Sequence, residues 1–140
     1  MKKILFALIA STSLALLTGC ETKVVDQGAY VPLNVTVNDL ENHTTFVLLD
    51  RRVQNSVTCP GIQESRLADG RFQIAVHLRN RENRRVQVQA NCEFKDAQGF
   101  VIDATPFQNV FLDENAQQDV QFTAANGNAQ GYTIRVREAR

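Results

Sequence analysis

The chain has 140 residues, and its 15 basic and 15 acidic side chains give a formal net charge of zero at neutral pH. This balance excludes the strong electrostatic attraction to nucleic acid or anionic membranes that a basic surface provides. Tryptophan is absent and the single methionine is the first residue, so a core has to be built from Phe, Val, Leu and Ile.

The N-terminus has the pattern of an export signal. Lys2 and Lys3 precede an apolar run at 4–17, which is too short for a membrane-spanning helix because such a helix needs roughly 20 apolar residues. A basic start, an apolar stretch and a small-residue exit are typical of a secretory peptide. The run ends in the sequence LTGC at 17–20, which resembles the lipobox of bacterial lipoproteins.

The lipobox resemblance implies that Cys20 is the first residue of the mature protein. Its sulfur would carry a diacylglyceryl group and its amine a further acyl chain such as palmitate, and several chains anchor stably where one holds weakly. Glu21 is not the aspartate that resembles an inner-membrane retention signal, so the outer membrane is favoured, with the domain facing the periplasm. A plain secreted protein is the alternative.

The chain is therefore expected to divide into a signal peptide at 1–19, a lipidated cysteine with a tether at 20–32, and one domain at 33–140. The tether segment mixes charges with Gly28 and Pro32 and has no periodicity, and when extended it spans roughly 40 Å at most. Loss of the signal removes two lysines and no acid, so the mature chain has 13 basic and 15 acidic residues. The remaining length suits one modest core.

Apolar and polar residues alternate along most of this domain, and a period of two predicts β-strands. The alternation is visible at 33–38, is clearer at 72–78 and continues at 86–94. The last two segments are predicted to be the central strands, joined by a hairpin loop at 80–84. In the first segment the apolar positions are Leu33, Val35 and Val37, and the polar positions are Asn34, Thr36 and Asn38.

Turn residues separate the predicted strands. Asp69 and Gly70 predict a tight turn, and the sequence DAQG at 96–99 predicts a type I turn with glycine at its last position. Residues 46–53 contain a continuous apolar run that fits either a buried strand or a short helical turn. Further strands are predicted at 100–102, 107–112, 120–123 and 132–136.

Seven or eight short strands at a spacing of about ten residues, without a long helix, predict an all-β fold. We expect a single antiparallel β-sandwich of the immunoglobulin-like kind, with a small β-barrel as the alternative. The immunoglobulin-like assignment depends on the strand pattern alone, because the usual tryptophan packed on a cysteine bridge is absent.

Cys59 and Cys92 are the two cysteines of the predicted domain. An even pair in an exported protein is a candidate disulfide, which would stabilise the fold by roughly 3 to 4 kcal/mol. Two buried free thiols, or a reactive or metal-binding pair, remain as alternatives because spacing alone does not establish pairing.

The run VQVQANCEFKDAQGFVID at 86–103, preceded by IAVHLRNRENRR at 74–85, resembles the YcfL-like family of small bacterial lipoproteins. That family has a strand ending in Asn, a hairpin, and an aromatic-rich strand that closes in Asp-x-x-Gly. The resemblance implies an immunoglobulin-like sandwich on a lipid anchor, in a family without an established biochemical role, and supplies no catalytic residue. The matching positions are Leu78, Asn80, Phe94, Asp96, Gly99 and Val101, whereas Cys92 stands where the family pattern has an aromatic residue.

The sequence contains no recognisable catalytic motif. Ser56 and Ser65 are the serines after the signal, and neither lies in a nucleophile elbow. We interpret His43 and His77 as solvent-facing, because neither stands at a metal-ligand spacing from a cysteine or a second histidine. The sequence therefore predicts no enzyme, no cofactor and no metal site.

One concentration of charge has a candidate binding role. It consists of four arginines in or next to the predicted hairpin loop, Arg79, Arg81, Arg84 and Arg85. Guanidinium groups bind phosphate or carboxylate with two hydrogen bonds. Peptidoglycan carboxylates or lipid phosphates would suit such a cluster. A solvated hairpin tip, partly neutralised by Glu82, is the simpler interpretation.

Together these observations favour a lipid-anchored, non-catalytic binding or accessory subunit of a bacterial envelope complex. Its expected partners are the membrane, through the lipid, and an envelope protein or peptidoglycan. Nucleic acid is not expected. Direct binding of a cell-wall or lipid ligand through the basic hairpin is the alternative, and an enzyme with a scattered acidic site is the third hypothesis.

Overall fold

The computed structural model describes residues 39–40 and 43–139. The predictions for the signal peptide, Cys20, the tether and the strand at 33–38 lie outside these residues. The described chain forms eight strands and one short helix. In chain order they are β1 (Phe46–Leu48), α1 (Arg51–Ser56), β2 (Val57–Arg66), β3 (Phe72–Asn80), β4 (Val86–Lys95), β5 (Val101–Ala104), β6 (Gln108–Leu112), β7 (Gln117–Thr123) and β8 (Gly131–Glu138).

The strands form two sheets packed face to face. The larger sheet has the order β1-β8-β4-β5, with β6 also paired to β4, and the smaller has the order β2-β3-β7. The predicted β-sandwich is confirmed, and the barrel alternative is wrong because the described strands separate into two sheets. The sandwich is not purely antiparallel, since β1 pairs in parallel with β8.

The predicted central strands are confirmed, one in each sheet. β3 lies between β2 and β7. β4 pairs with β8, and also with β6 along its first half and with β5 at its end. Their apolar residues alternate with more exposed ones, as the period of two requires. The predicted hairpin between them is wrong. Residues 81–85 instead carry the chain from the smaller sheet to the larger, so the apolar faces of β3 and β4 cover each other.

The core between the sheets contains a cluster of aromatic side chains. The ring centroid of Phe72 in β3 lies 6.4 Å from that of Phe94 in β4 and 5.9 Å from that of Tyr132 in β8. Phe46 and Phe94 are completely buried. Phenylalanine and tyrosine therefore provide the aromatic volume in a sequence without tryptophan.

Both predicted turns are confirmed. Gly70 has φ +84° and Gly99 has φ +89°, a left-handed region that glycine adopts without the steric cost of a Cβ atom. The Gly99 N–H donates to the Asp96 carbonyl at 3.1 Å, and the Asp96 N–H donates to the Phe100 carbonyl at 2.9 Å. These bonds close the chain between β4 and β5.

The alternation of apolar and polar residues does not predict the structure of two segments. Residues 46–53 adopt both suggested forms in succession, because β1 is followed by the start of α1. β2 is a long strand that the alternation does not reveal. Pro60 and Gly61 interrupt its pattern, and its register against β3 shifts between Thr58 and Gly61. The other strands predicted after β4 correspond to β5, β6, β7 and β8.

Candidate functional site

The four arginines of the predicted basic cluster do not form one surface. Arg79 donates to the carboxylate of Asp39 at 3.0 Å. Arg81 is only 4% exposed, and its Nη2 donates to the Val57 carbonyl at 3.3 Å, so this side chain is part of the interior. The predicted exposure of Arg81 at a hairpin tip is therefore wrong, because the segment that carries it connects two sheets.

The other two arginines are exposed but have acidic partners within the domain. Arg84 pairs with Glu82. Arg85 lies 3.3 Å from the Asp113 carboxylate, and its guanidinium lies 5.0 Å from the centre of the Phe111 ring. The positive charges at this end of the sandwich are thus largely balanced by acids, which weakens their attraction for an external anion.

The candidate serine nucleophiles and histidines are not brought together. The Ser56 hydroxyl is buried and bonded to the Arg52 carbonyl and the Glu82 carboxylate. Ser65 lies on the exposed part of β2. In the described residues neither serine is hydrogen-bonded to a histidine, so neither forms the serine–histidine pair typical of nucleophilic catalysis.

His77 has a partner that the sequence does not indicate. Its Nδ1 lies 2.6 Å from Oδ1 of Asp119 across the β3–β7 pair. This hydrogen bond lowers the pKa of Asp119. His43 is exposed, as predicted. Among residues 39–40 and 43–139, no group of three or more His, Cys, Asp or Glu side chains could hold a metal ion.

A cleft of about 220 Å³ lies beside α1, between its first turns and the start of β4. Val53, Val86 and Val88 contribute its apolar wall, and Arg52 forms an ion pair with Glu138 at 2.5 Å on its rim. Arg85 also borders the cleft. Arg52 and Glu138 are already paired with each other, and the one serine of the lining, Ser56, is buried.

Cys59 and Cys92 are both completely buried free thiols, so the predicted bridge between them is not formed in this structure. They lie in different sheets and their sulfurs are engaged separately. Sγ of Cys59 is 3.2 Å from the Gly61 carbonyl, and Sγ of Cys92 is 3.9 Å from the Glu93 carbonyl. Burial raises the pKa of each thiol to about 12.

We expect neither thiol to react with a maleimide at pH 8 while the domain is folded, because the thiolate is the reactive form and both groups remain neutral. Two thiols should react once a denaturant unfolds the protein without reductant. Mass spectrometry of the purified protein counts the added groups. If both cysteines stay unmodified in denaturant and react only after reduction, they are bridged, and the arrangement of free thiols does not describe the exported protein.

Three of the five exposed large apolar residues in the described chain are consecutive and lie at an edge of the larger sheet, and the other two are Leu49 and Phe111. Phe100 is 72% exposed, Val101 51% and Ile102 39%. β5 pairs with β4 and with no other strand among the described residues. The sequence signal for this surface is the break in alternation after the turn, where three apolar residues follow one another. The sequence analysis predicts a strand at 100–102 and assigns no binding role to it.

A further property of β5 concerns its single acidic residue. The Asp103 carboxylate accepts a hydrogen bond from the Ala125 N–H at 2.6 Å. The charge is therefore turned toward the loop after β7. Edge strands of soluble proteins are commonly protected from pairing by exposed charges or proline, and residues 100–102 have neither.

The geometry defines a small two-sheet β-sandwich with a run of three exposed apolar residues along one edge. Residues 44–138 match the family described as "Protein of unknown function (DUF1425)", and the chain belongs to that family. No helix in the part of the chain that the structure describes is long and apolar enough to cross a membrane.

Two solved structures have the same fold. A DUF1425 family member from Shewanella sp. pv-4 is 15% identical with a TM-score of 0.56, and the match covers 76% of this chain and 95% of that one. The Campylobacter jejuni protein cj0090 is 16% identical with a TM-score of 0.55, covering 69% of this chain and 100% of that one. Among curated proteins, none matches the sequence.

Proposed function

We propose that the protein is a lipid-anchored, non-catalytic binding subunit of a bacterial envelope complex, related to the YcfL-like lipoproteins. The domain would face the periplasm from the outer membrane and bind an extended apolar segment of another envelope protein along β5. The sequence LTGC at 17–20 supports the anchor, and the run at 74–103 supports the family relationship.

The exposed run Phe100–Ile102 beside an unpaired strand edge is the observation that carries the binding proposal. An added strand would receive main-chain hydrogen bonds from β5, which supply affinity, while the apolar side chains supply specificity. Aromatic anchors contribute strongly at protein interfaces, and Phe100 is the most exposed large apolar residue described. A partner strand with apolar side chains on its facing side fits this edge.

Direct binding of a cell-wall or lipid ligand through the basic residues is the second candidate. It is weaker because Arg79, Arg84 and Arg85 have carboxylate partners within the domain, and Arg81 is buried. An anionic ligand would have to displace these acids.

A photo-reactive residue at Val101 of the full-length protein should give a crosslinked product of defined mass in living cells. The same residue at Gln121, exposed on β7 of the other sheet, is the matched control and should not give that product. In the F100S/I102S background the crosslink at 101 should fall by about tenfold, because two interface anchors are removed. These side chains are exposed, so the thermal unfolding temperature should change little.

The proposed binding edge is wrong if positions 101 and 121 give the same products, or if F100S/I102S leaves the crosslink unchanged. The crosslinked partner, identified by mass spectrometry of the excised product, should be an exported protein. Capture of peptidoglycan or lipid by the same photo-reactive residue at Asn83, which is exposed and lies beside the basic residues, would instead favour the second candidate.

A further inference from the structure

The outer face of the larger sheet contains an arginine that is held by two neutral side chains. Val136 in β8 is fully buried, so the next residue, Arg137, points away from the core. Its guanidinium lies 3.8 Å from the centre of the Phe107 ring. Its Nε donates to Oε1 of Gln89 in the neighbouring strand β4 at 3.0 Å. The ring and the amide therefore restrict the position of the guanidinium.

The segment between β5 and β6 places Phe107 over this face. The Thr105 N–H donates to the Cys92 carbonyl at 2.9 Å, and Oγ1 of Thr105 accepts from the Cys92 N–H at 2.9 Å. These bonds attach the segment to β4 two residues before the ring. The centre of the ring also lies 5.8 Å from the guanidinium of Arg135, which shares the outer face of β8. The position of Phe107 therefore does not depend on Arg137 alone.

The two arginines that contact this ring differ in their charge partners. Arg135 forms an ion pair with Glu93. Among residues 39–40 and 43–139, no carboxylate forms an ion pair with Arg137. Within this part of the chain its side chain donates through Nε, while Nη1 and Nη2 reach solvent. The two Nη groups of Arg137 are therefore available to a ligand.

A carboxylate is the ligand group that fits this arrangement. Its two oxygens match the two Nη groups of a planar guanidinium, and hydrogen bonds between such charged groups are stronger than those between neutral ones. Because Phe107 and Gln89 already restrict the arginine, binding costs less conformational freedom than it would at an unrestrained side chain. The stack and the Nε bond thus prepare Arg137 for a carboxylate.

An exposed leucine lies beside Arg137. Leu48 at the end of β1 is buried, and the next residue, Leu49, is 40% exposed. The Leu49 N–H donates to the Val136 carbonyl at 2.8 Å, which places Leu49 next to Arg137 across the parallel pair of β1 and β8. A ligand with an apolar side chain near its carboxylate can contact both residues.

These features favour an acidic peptide over a membrane as the ligand. Anionic lipid surfaces attract clusters of several basic residues, and on this face the charge of Arg135 is balanced by Glu93. One guanidinium without an acidic partner, beside one exposed leucine, suits a single carboxylate and its apolar neighbour.

We infer that Arg137 is the anchor of a carboxylate-binding site on the outer face of the larger sheet. Its ligand is an acidic peptide segment, with an apolar residue that contacts Leu49. Because the site does not include the edge at 100–102, the inference does not depend on the proposed function.

A titration of the isotope-labelled full-length protein, followed by NMR in micelles of a zwitterionic detergent, tests this site. The probe is the peptide acetyl-Glu-Leu-Glu-Leu-amide, and the neutral control is acetyl-Gln-Leu-Gln-Leu-amide. The acidic peptide should shift the backbone amide signals of Leu49 and Arg137 to saturation. It should bind at least about fivefold more tightly than the neutral peptide, because only a carboxylate forms charged hydrogen bonds with the guanidinium.

Two substitutions at the same position separate charge from geometry. Arg137→Gln removes both, and should weaken binding of the acidic peptide at least about fivefold. Arg137→Lys keeps the charge but loses the planar pair of donors, and should weaken binding about threefold. The matched control is Arg71→Gln, which removes an exposed arginine from the turn between β2 and β3 and should leave binding unchanged.

Three results would overturn the inference. The first is equal binding of the two peptides by the unchanged protein, and the second is equal binding of the acidic peptide by R137Q and R71Q. If R137Q does not fold, R137K replaces it in this comparison, and binding by R137K as tight as that of the unchanged protein counts against the site. The third is Arg137-dependent binding to phosphatidylglycerol vesicles without binding of the acidic peptide, because the site would then recognise a lipid phosphate.

Discussion

Replacement of Asn80 by alanine should lower the free energy of unfolding by about 3 kcal/mol. Asn80 is the last residue of β3 and is 1% exposed. Its Nδ2 donates to the carbonyls of Arg84 at 2.7 Å, Asp113 at 2.8 Å and Leu112 at 3.2 Å. Its Oδ1 accepts from the Glu82 N–H at 2.9 Å. Alanine would remove all four contacts and leave buried polar groups without partners, which costs more than the loss of exposed hydrogen bonds.

The matched control for this change is Asn83→Ala. Asn83 lies in the same connection between the sheets and is exposed, so its replacement should alter stability by less than about 0.5 kcal/mol. Urea denaturation followed by far-UV circular dichroism measures both variants. A loss below about 1 kcal/mol in N80A would show that water or a shifted loop replaces the side chain, and would contradict the stabilising role of these four hydrogen bonds.

Phe94→Ala should destabilise the domain by about 4 kcal/mol. Phe94 is fully buried in β4 and packs against Phe72 of the opposite sheet, with 6.4 Å between ring centroids and a tilted arrangement. The substitution removes a large side chain from the interface of the two sheets. Because strands of two sheets surround the site, the backbone cannot collapse far enough to fill the cavity.

Phe111→Ala is the control for the loss of a phenylalanine from the same sheet. Phe111 is 48% exposed on β6, so the expected loss is within about 1 kcal/mol. Chemical denaturation of F94A and F111A under identical conditions gives the comparison. Similar losses in the two variants would contradict the assignment of Phe94 to the core.

The period-two patterns predict strand faces well where a strand is central and one face is buried. The apolar positions of β3 and β4 are buried as the alternation requires, because each strand is covered by the opposite sheet. The same patterns do not predict which sheet a strand joins. A short polar segment after Asn80 suits a hairpin or an inter-sheet connection equally, and long-range packing decides between them.

In the candidate site, the sequence pattern also does not predict which polar side chains are buried. Asn80 and Arg81 are polar residues between two strands and are therefore expected to be exposed, yet both are buried. Their burial depends on acceptors that lie far away in sequence, such as the carbonyls of Leu112 and Val57. The run at 100–102 was detectable as an apolar segment, but its exposure depends on β5 being at an edge.

The contact between Tyr132 and Glu64 gives the domain an intrinsic optical probe. Tyr132 is the only tyrosine among the described residues, and the chain has no tryptophan. Its ring belongs to the larger sheet, whereas the carboxylate that accepts a hydrogen bond from its hydroxyl, with 2.8 Å between the oxygens, belongs to the smaller one. Separation of the sheets breaks this bond and exposes the ring to water. In a Tyr30→Phe variant, tyrosine emission therefore reports the opening of the sandwich without an added label.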